Sequence, residues 1–316
     1  MGTHEPRDQV RGAAAGPERE SLVEAVMAWF DGHQRDLPWR RDDRTPWGVL
    51  VSEVMLQQTP VVRVLPVWQD WMARWPTPAG LAAEPPGEAV RRWGRLGYPR
   101  RALALHSTAR LLVGRHAGRV PDDDAQLRAL PGVGEYTSAA VRAFAFGQRC
   151  VVLDTNVRRV HARVLGGHEH PPAALTAAER DRAAHLLPQQ AAQAARWSVA
   201  VMELGALVCT STGPRCPQCP IAAQCAWLAR GRPPHDGPPR RVQRFAGTDR
   251  QARGRIMAVL REHLGPVAAE VVAAAWPDPV QRARALDGLV ADGLVEPLES
   301  GMLRLPVDPA VCRNGA

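Results

Sequence analysis

The sequence predicts an all-α protein made of short helices, and two observations lead to that prediction. Apolar residues recur near a period of 3.6 from Glu18 onward. Alternating apolar and polar residues, the pattern typical of strands, are nearly absent up to residue 230. Pro and Gly residues interrupt the helical patterns at short intervals, which predicts frequent helix ends. The first helical pattern contains Leu22, Val23, Val26, Met27, Trp29 and Phe30.

The remaining segments follow in chain order. Residues 1–17 are polar and are expected to form a disordered tail. A second helical stretch runs from Val49 to Val67, and Pro60 and Pro66 are expected to break it. Residues 231–247 are rich in Pro, Gly and Arg, which predicts a semi-extended linker.

A small second unit is predicted over residues 248–306, followed by a tail at 307–316. Its helical patterns lie at Ile256–Leu264, around Ala268–Trp276 and around Val280–Asp292. Two short apolar runs then flank Glu299-Ser300-Gly301, which predicts a hairpin. Three helices and a hairpin are typical of a winged-helix-like module; the alternative is a plain helical appendage or an oligomerisation element.

Composition limits the class of protein. The 316 residues suffice for one large or two modest domains, and no apolar run is long enough to span a bilayer. The N-terminus lacks the apolar region of a signal peptide, so we expect a cytoplasmic protein. The net charge of +8 suits phosphate-bearing partners. Free use of Arg by a GC-rich genome is the alternative, because all 40 basic residues are Arg.

Four cysteines lie in one short stretch with the spacing C-x6-C-x2-C-x5-C. Thiolates this close in sequence suit zinc or an iron–sulfur cluster. One C-x2-C pair with two flanking cysteines favours [4Fe-4S], since zinc sites more often have two such pairs. Disulfides are a third interpretation and would need an oxidising compartment. The four residues are Cys209, Cys216, Cys219 and Cys225.

The segment Leu130-Pro131-Gly132-Val133-Gly134 lies between two helical patterns. Its glycines allow a tight turn, and its amides with the following helix N-terminus would form a seat for phosphate. An ordinary helix–helix turn is the alternative interpretation.

Several motifs together make the chain resemble the endonuclease III superfamily, the helix-hairpin-helix DNA glycosylases with an iron–sulfur cluster. Within it, the chain looks like the MutY family of adenine glycosylases, which act on adenine mispaired with 8-oxoguanine or guanine. The resemblance covers roughly residues 20–230. It rests on Leu37–Arg40, Ser52–Thr59, Gly94–Tyr98, the Leu130–Gly134 hairpin, Val152–Val157 and the cysteine run.

The resemblance implies a two-lobed glycosylase domain over 18–230. Residues 41–150 would form a six-helix barrel lobe, and residues 18–40 and 151–230 an iron–sulfur lobe. It also implies a [4Fe-4S] cluster on the four cysteines and phosphate binding by Gly132, Val133 and Gly134. The expected partner is double-stranded DNA containing A:8-oxoG or A:G mispairs. We expect a monomer, associated with a bacterial nucleoid.

Two carboxylates are the expected catalytic pair. Glu53 lies between Val49-Leu50-Val51 and Val54-Met55-Leu56, and such apolar company should raise its pKa and suit a general acid. Asp154 lies where a helix begins, which should favour its anionic form. That form suits electrostatic stabilisation of a sugar cation or transient nucleophilic attack on it. Without the resemblance, Glu53 would be a buried ion-pair partner and Asp154 a helix N-cap.

The resemblance assigns roles to other residues by position. Tyr136 replaces the lysine that bifunctional relatives use, and Asn156 is expected to hydrogen-bond near Asp154. Gln58 and Tyr98 resemble residues that wedge into the DNA stack beside a flipped nucleotide. The remaining substrate-binding residues, which resemble the lining of the adenine pocket and its surroundings, are Trp39, Arg40, Leu56 and Leu96.

The chain departs from the MutY pattern at two places, and two other functions stay open. Val199 stands where the family commonly has a base-contacting Gln or Glu, and the segment after Arg240 is too short for the usual Nudix-like domain. A bifunctional glycosylase/lyase normally needs a lysine amine, and the sequence contains no Lys. A non-catalytic iron–sulfur DNA-binding protein would not need the Glu53 and Asp154 pair.

Overall fold

The computed structural model describes residues 16–235, 237 and 245–307. The expected tails at 1–17 and 307–316 lie almost entirely outside these residues, as do positions 236 and 238–244 of the expected linker. The all-α prediction is confirmed, because the described residues before 245 form helices and turns with no strand. No described helix is both long enough and apolar enough to cross a membrane.

The chain divides into two compact units. One comprises the described parts of Met1–Asp36 and Arg142–Pro238, and the other those of Leu37–Val141 and Pro239–Ala316. The first unit is therefore built from two separate stretches of sequence, with α8 passing from one unit into the other. The helices of the glycosylase-like part are α1 (Gly16–His33), α2 (Pro46–Leu56), α3 (Val61–Arg74), α4 (Pro78–Ala82), α5 (Pro86–Trp93), α6 (Arg100–His116), α7 (Asp124–Arg128), α8 (Glu135–Phe146), α9 (Thr155–Val164), α10 (Ala177–Leu186), α11 (Ala191–Leu207) and α12 (Ala226–Ala229).

The first unit buries one apolar core between α1, α9 and α11. The apolar stripe of α1 supplies Leu22, Val26 and Phe30 to it, as the period of 3.6 predicts. Just after α1, the Arg35 guanidinium forms two hydrogen bonds of 2.7 Å with the carboxylate of Glu203 on α11. Because Glu203 is fully buried, this bidentate pair satisfies a carboxylate that would otherwise be costly to bury.

The second unit is organised around tryptophans. Trp71 packs edge-to-face against Trp75 and Trp93, with ring centroids 5.0 and 5.6 Å apart, and all three are buried. Such pairs contribute about 0.5–1.5 kcal/mol beyond the area that they bury. These three tryptophans, from α3, its C-terminal end and α5, thus form part of the core of the second unit.

One predicted helix break is confirmed and one is wrong. Pro60 is the N-cap of α3, so the helical stretch does end before it. Pro66 lies inside α3, which continues to Arg74. Proline at this position removes only the hydrogen bond to the carbonyl of Val62, whose side chain is exposed on the solvent side of the helix.

The C-terminal module has the element order of a winged helix. It comprises α13 (Asp249–Glu262), α14 (Ala269–Ala273), α15 (Pro279–Ala291), and the antiparallel strands β1 (Glu296–Pro297) and β2 (Leu303–Arg304). Val267 adds a third short pairing with Leu303. The first helix ends before Leu264, which is 91% exposed, so its predicted end was too late.

Candidate functional site

Glu53 lies in the apolar interior of the second unit and contacts Tyr136. Thr45 caps α2 by accepting a hydrogen bond from the Gly48 amide, and Glu53 follows two turns later. Glu53 is 5% exposed, and its apolar neighbours on α2 are also buried. The Tyr136 hydroxyl, from the first turn of α8, donates to Oε2 of Glu53 over 2.9 Å. The phenol therefore orients one oxygen of a buried carboxyl group.

The predicted hairpin leads directly into α8. Gly132 has φ of +77° and is exposed, and the Val133 amide donates to the Leu130 carbonyl over 3.2 Å. A Cβ at Gly132 would come within 3.2 Å of the Ala104 Cβ, so glycine serves both the turn and the close packing. Exposed Gly134 then precedes the first residue of α8. Amides at this helix N-terminus suit an anion such as phosphate.

Gln58 and Tyr98, the expected wedge residues, share an unusual backbone. Both are exposed, and both have φ of +56°, the left-handed region that non-glycine residues rarely adopt. The cost of such a conformation is about 1–2 kcal/mol for each residue. Strain of this kind often accompanies function, because the surrounding structure must hold the residue in place.

Arg101 connects the two turns that carry these residues. Its guanidinium donates to the Gln57 carbonyl and lies over the Tyr98 ring, 4.4 Å from the centroid. Burial lowers the pKa of Arg101 from its ordinary value. The Arg101 side chain thus fixes Tyr98 relative to Gln57, the residue before Gln58. Arg101 was not among the residues predicted from the sequence.

The other predicted substrate-binding residues belong to the second unit. Trp39 is buried in an edge-to-face pair with Trp68, and Leu96 is buried in the turn after α5. Arg40 and Leu56 are half-buried, each at the end of its helical segment.

Asp154 and Asn156 lie together at the start of α9 in the first unit. Asp154 is the N-cap: its Oδ1 accepts from the Val157 amide over 2.6 Å, and its Oδ2 accepts from the Asn156 side-chain amide over 2.8 Å. The residue keeps some exposure, but its carboxyl group is enclosed. The structure thus brings Asp154 and Asn156 together, as expected. Asp154 is also the helix N-cap, the role expected of it without the resemblance.

The electrostatics of Asp154 differ from the expectation. Burial raises the pKa of Asp154, and this outweighs the lowering by the Val157 amide, the Asn156 side chain and Arg159. The helix N-terminus therefore does favour the anion, but removal from water opposes it more strongly. The predicted contribution of the helix N-terminus is thus present, and burial acts on the pKa of Asp154 in the opposite direction.

Arg159 holds this pair in place and was missed by the sequence reasoning. One of its terminal nitrogens donates to Asn156 Oδ1 and to the Gly205 carbonyl, each over 2.7 Å. Its Nε donates to the Cys209 carbonyl over 2.8 Å. A continuous chain of hydrogen bonds therefore runs from the carboxyl group of Asp154 to the backbone of the first cysteine. Because α9 contains three arginines, the sequence gives no signal that Arg159 in particular has this role.

The four predicted cysteines surround one pocket of the first unit. All are free thiols and half-buried, and the pocket encloses about 370 Å³, part of it open solvent. The pKa of Cys219 is raised to about 11, chiefly by burial and also by the neighbouring thiols of Cys209, Cys225 and Cys216. Cys150 does not line this pocket, and no disulfide occurs among the described cysteines.

Arg163 closes one side of this pocket. Its guanidinium lies 3.4 Å from the Cys209 sulfur, donates to the Thr210 carbonyl over 2.8 Å and stacks on Trp227 at 4.6 Å. A buried cation beside thiols favours their ionised form. The surroundings of the cysteines thus contain the positive charge that a set of thiolates would require.

Comparison with known proteins identifies the family. The protein named adenine DNA glycosylase from Mycobacterium tuberculosis (strain ATCC 25618 / H37Rv) is 49% identical to this chain over 282 residues, which cover 89% of this chain and 92% of the relative. The chain belongs to the adenine DNA glycosylase family. The fold prediction and the recognition of the superfamily are both confirmed.

Other relatives of this adenine DNA glycosylase family member agree. The adenine DNA glycosylase of Homo sapiens is 40% identical over 212 residues, covering 64% of this chain and 38% of the relative. A family model described as HhH-GPD superfamily base excision DNA repair protein matches residues 51–184. That match includes the hairpin, α8 and all of α9.

Solved structures show the same fold. A thermostable thymine-DNA glycosylase superposes with a TM-score of 0.61 at 27% identity, covering 67% of this chain and 97% of that one. A non-covalent endonuclease III–DNA complex superposes with a TM-score of 0.58 at 23% identity, which supports the fold alone. It covers 70% of this chain, so part of this family member lies outside the shared fold.

The mycobacterial match extends into the C-terminal module. Because 89% of 316 residues is about 281, the match includes residues 36–281 wherever it starts. All of α13 and α14 therefore belong to the part of the chain shared with that relative.

Proposed function

We propose that this chain is a monofunctional adenine DNA glycosylase of base excision repair that acts on adenine opposite 8-oxoguanine or guanine. The reaction replaces the N-glycosidic bond of deoxyadenosine with a bond from C1′ to water, releasing adenine and leaving an abasic site. The observation that supports it most is the buried Glu53–Tyr136 pair, in a chain 49% identical to a protein of that name.

Glu53 is proposed as the general acid. Departure of adenine as an anion is unfavourable, so a proton must reach its ring as the bond breaks. A carboxyl group in an apolar interior keeps its proton more readily than one in water. The Tyr136 hydroxyl holds the group in one orientation, so a protonated Glu53 would present its acid proton in a fixed direction.

Asp154 is proposed to stabilise the positive charge that develops on the sugar. This role requires the ionised carboxylate, and the structure places two hydrogen-bond donors on it, the Val157 amide and the Asn156 side chain. These donors and Arg159 counteract the burial that raises its pKa. Enclosure strengthens the attraction between the carboxylate and a developing cation, because little water screens it.

The four thiols fit an iron–sulfur cluster better than a single zinc ion. The single C-x2-C pair with two flanking cysteines favours a cluster, since zinc sites more often have two such pairs. Four thiols around a shared pocket, with Arg163 beside Cys209, suit a larger anionic group. A [4Fe-4S] cluster would cross-link the segment from Cys209 to Cys225 and so supply stability.

The partner is proposed to be double-stranded DNA. The hairpin at Gly132–Gly134 with the start of α8 would hold a phosphate group, and the net charge of +8 favours a polyanion. Gln58 and Tyr98, exposed in strained turns, would fill the stack when the target nucleotide is extruded. Trp39, Arg40, Leu56 and Leu96 are proposed to line the region that receives the base.

A base-release assay tests the function directly. Duplexes carrying A opposite 8-oxoG, G or C would be incubated with excess protein, and free adenine would be measured by chromatography. The proposal predicts release from A:8-oxoG and A:G that is at least about tenfold faster than from A:C. Matched duplexes with T or U opposite G are the control for the thymine and uracil activities named among similar proteins. Release of thymine or uracil without adenine would refute the proposal.

A further inference from the structure

The C-terminal module carries no excess of positive charge. Residues 248–306 contain seven Arg and eight Asp or Glu, which gives a net charge of −1 in a chain of +8. Winged-helix modules that bind DNA need a positive surface for the phosphates. The charge of this module therefore argues for a different task.

The module is attached firmly to α5. Three carbonyls at the end of α13, those of Leu260, Arg261 and His263, all accept from the Arg91 guanidinium. In return, Arg261 donates to the Val90 carbonyl over 3.1 Å. The burial of Arg261 lowers its pKa to about 10.

Gly87 brings the two backbones together at a second point. Its amide donates to the Pro306 carbonyl over 2.6 Å. A Cβ at this position would lie 2.5 Å from the Pro306 oxygen and 2.8 Å from the Leu305 Cβ, so only glycine allows the contact. The end of the chain thus seats on the first turn of α5.

The module also reaches α6. Arg100, the first residue of α6, forms an ion pair of 3.3 Å with Asp292, which is itself bonded to Arg253 of α13. Contacts with α5 and α6 therefore lie on both sides of the turn Gly94–Pro99. An exposed pair of this kind contributes little energy alone. It does show that the module contacts α6 as well as α5.

The turn between α5 and α6 is the one that carries Leu96 and Tyr98. Gly94 has φ of +57° and Tyr98 has φ of +56°, so the turn has two left-handed positions within five residues. The Trp93 indole donates to the Gly97 carbonyl over 3.0 Å, and Arg101 stacks on Tyr98. A strained turn keeps such a conformation only if the elements on either side are held still.

We infer that the C-terminal module is a brace that fixes the Gly94–Pro99 turn by holding α5 and α6, and that it does not itself bind DNA. The significance of the turn for catalysis rests on the proposed function, in which Tyr98 enters the DNA stack. The brace itself is a property of the protein without DNA.

The replacement Gly87→Ala tests the brace. Alanine is the better helix former, so the change favours α5 while its Cβ collides with Pro306. Gly114→Ala in α6 is the matched control, because a Cβ there meets nothing within 4 Å. Hydrogen–deuterium exchange of the DNA-free proteins would be followed by mass spectrometry in peptides spanning 94–101 and 249–263. Arg91→Met, which removes the three-carbonyl contact, is a second variant with no added volume.

The brace predicts that Gly87→Ala and Arg91→Met each accelerate exchange in 94–101 by about tenfold, while Gly114→Ala changes it less than twofold. Faster exchange in 249–263 with unchanged exchange in 94–101 would overturn the inference, because the module would have detached without loosening the turn. Since no DNA is present, this result is independent of whether the chain releases adenine.

A binding measurement tests the second half of the inference. Arg255 is exposed on α13 and would contact phosphate if the module bound DNA. Arg255→Gln is expected to leave the affinity for an abasic-site duplex within about twofold and its salt dependence unchanged. A loss of about tenfold with a smaller salt slope would show that the module binds DNA and would overturn the inference.

Discussion

Replacing Arg159 with Met should damage both the stability of the first unit and its chemistry. Arg159 is 8% exposed, and Met can fill the space of its stem but not its hydrogen bonds. Three acceptors lose a charged donor: Asn156 Oδ1, the Gly205 carbonyl and the Cys209 carbonyl, at 2.7, 2.7 and 2.8 Å. Breaking a buried charged network of this size costs about 3–5 kcal/mol of the free energy of unfolding.

The same replacement should shift the pH dependence of adenine release. Asp154 must be ionised to stabilise the sugar cation, so activity is lost as pH falls through its pKa. Burial already raises this pKa, and Arg159 is one of the groups that lower it. Without Arg159 the pKa rises further, and the acid limb of the rate profile moves to higher pH. Loss of the Asn156 contact should also lower the plateau rate about 10²-fold, the typical effect of misplacing a catalytic group by about 1 Å.

The assay is single-turnover adenine release from pH 5 to 9, with thermal unfolding measured in parallel. Arg158→Met is the matched control: Arg158 is the adjacent residue of α9, and its side chain bonds Glu179 at 2.8 Å. Its contact with Asp154 is made by the backbone amide, which the replacement keeps. It should lower stability yet leave the acid limb in place. If Arg159→Met has the same rate and the same acid limb as Arg158→Met, Arg159 neither positions Asn156 nor lowers the pKa of Asp154 to any effect on catalysis.

Three further variants test single roles. Glu53→Gln keeps the shape but removes the acid, so single-turnover release should fall by about 10²–10⁴ while mispair binding persists; a near wild-type rate would contradict the role. Tyr136→Phe removes the 2.9 Å bond to Glu53 and should lower the rate about 2–10-fold, the effect of losing one hydrogen bond of about 0.5–1.5 kcal/mol to a neutral acid; an unchanged rate would mean that the bond is only structural. Cys219→Ser should lower iron content and melting temperature together, and a folded, iron-free, colourless wild-type protein would make zinc the metal.

The sequence predicted those parts of the fold that local patterns control. The apolar stripe of α1, the break at Pro60 and the hairpin before α8 follow from side-chain period, proline geometry and glycine freedom. The passage of α3 through Pro66 did not, because one lost hydrogen bond is compensated by the packing of the rest of the helix. Tertiary context decided that case.

The site was predictable to the extent that its residues sit in motifs. Glu53, Tyr136, Asp154 and Asn156 were predicted from motif positions. Asn156 bonds Asp154 as expected, whereas the contact between Tyr136 and Glu53 was not predicted. The direction of the Asp154 pKa shift was not predictable, because it depends on how completely the folded chain encloses the carboxyl group.

The supporting arginines could not be predicted from the sequence. Arg101, Arg159 and Arg163 act through guanidinium groups that reach carbonyls and side chains distant in sequence. In a chain with 40 Arg and no Lys, one more arginine carries no information about which are buried. Only the three-dimensional contacts separate these three from solvated charges.

The proposed reaction breaks the bond to adenine by hydrolysis and leaves the DNA strand intact. A strand-cleavage assay therefore tests it. A β-elimination lyase needs an amine, and the sequence offers no lysine; Tyr136 is predicted to stand where bifunctional relatives have theirs. A 5′-labelled duplex containing A:8-oxoG would be incubated with the protein, then divided into samples with and without alkali, and a third sample with borohydride. Monofunctional hydrolysis predicts strand cleavage only after alkali, and no more than a trace of trapped protein–DNA adduct through the N-terminal amine. Cleavage at neutral pH concurrent with base release, with a strong trapped adduct, would contradict it.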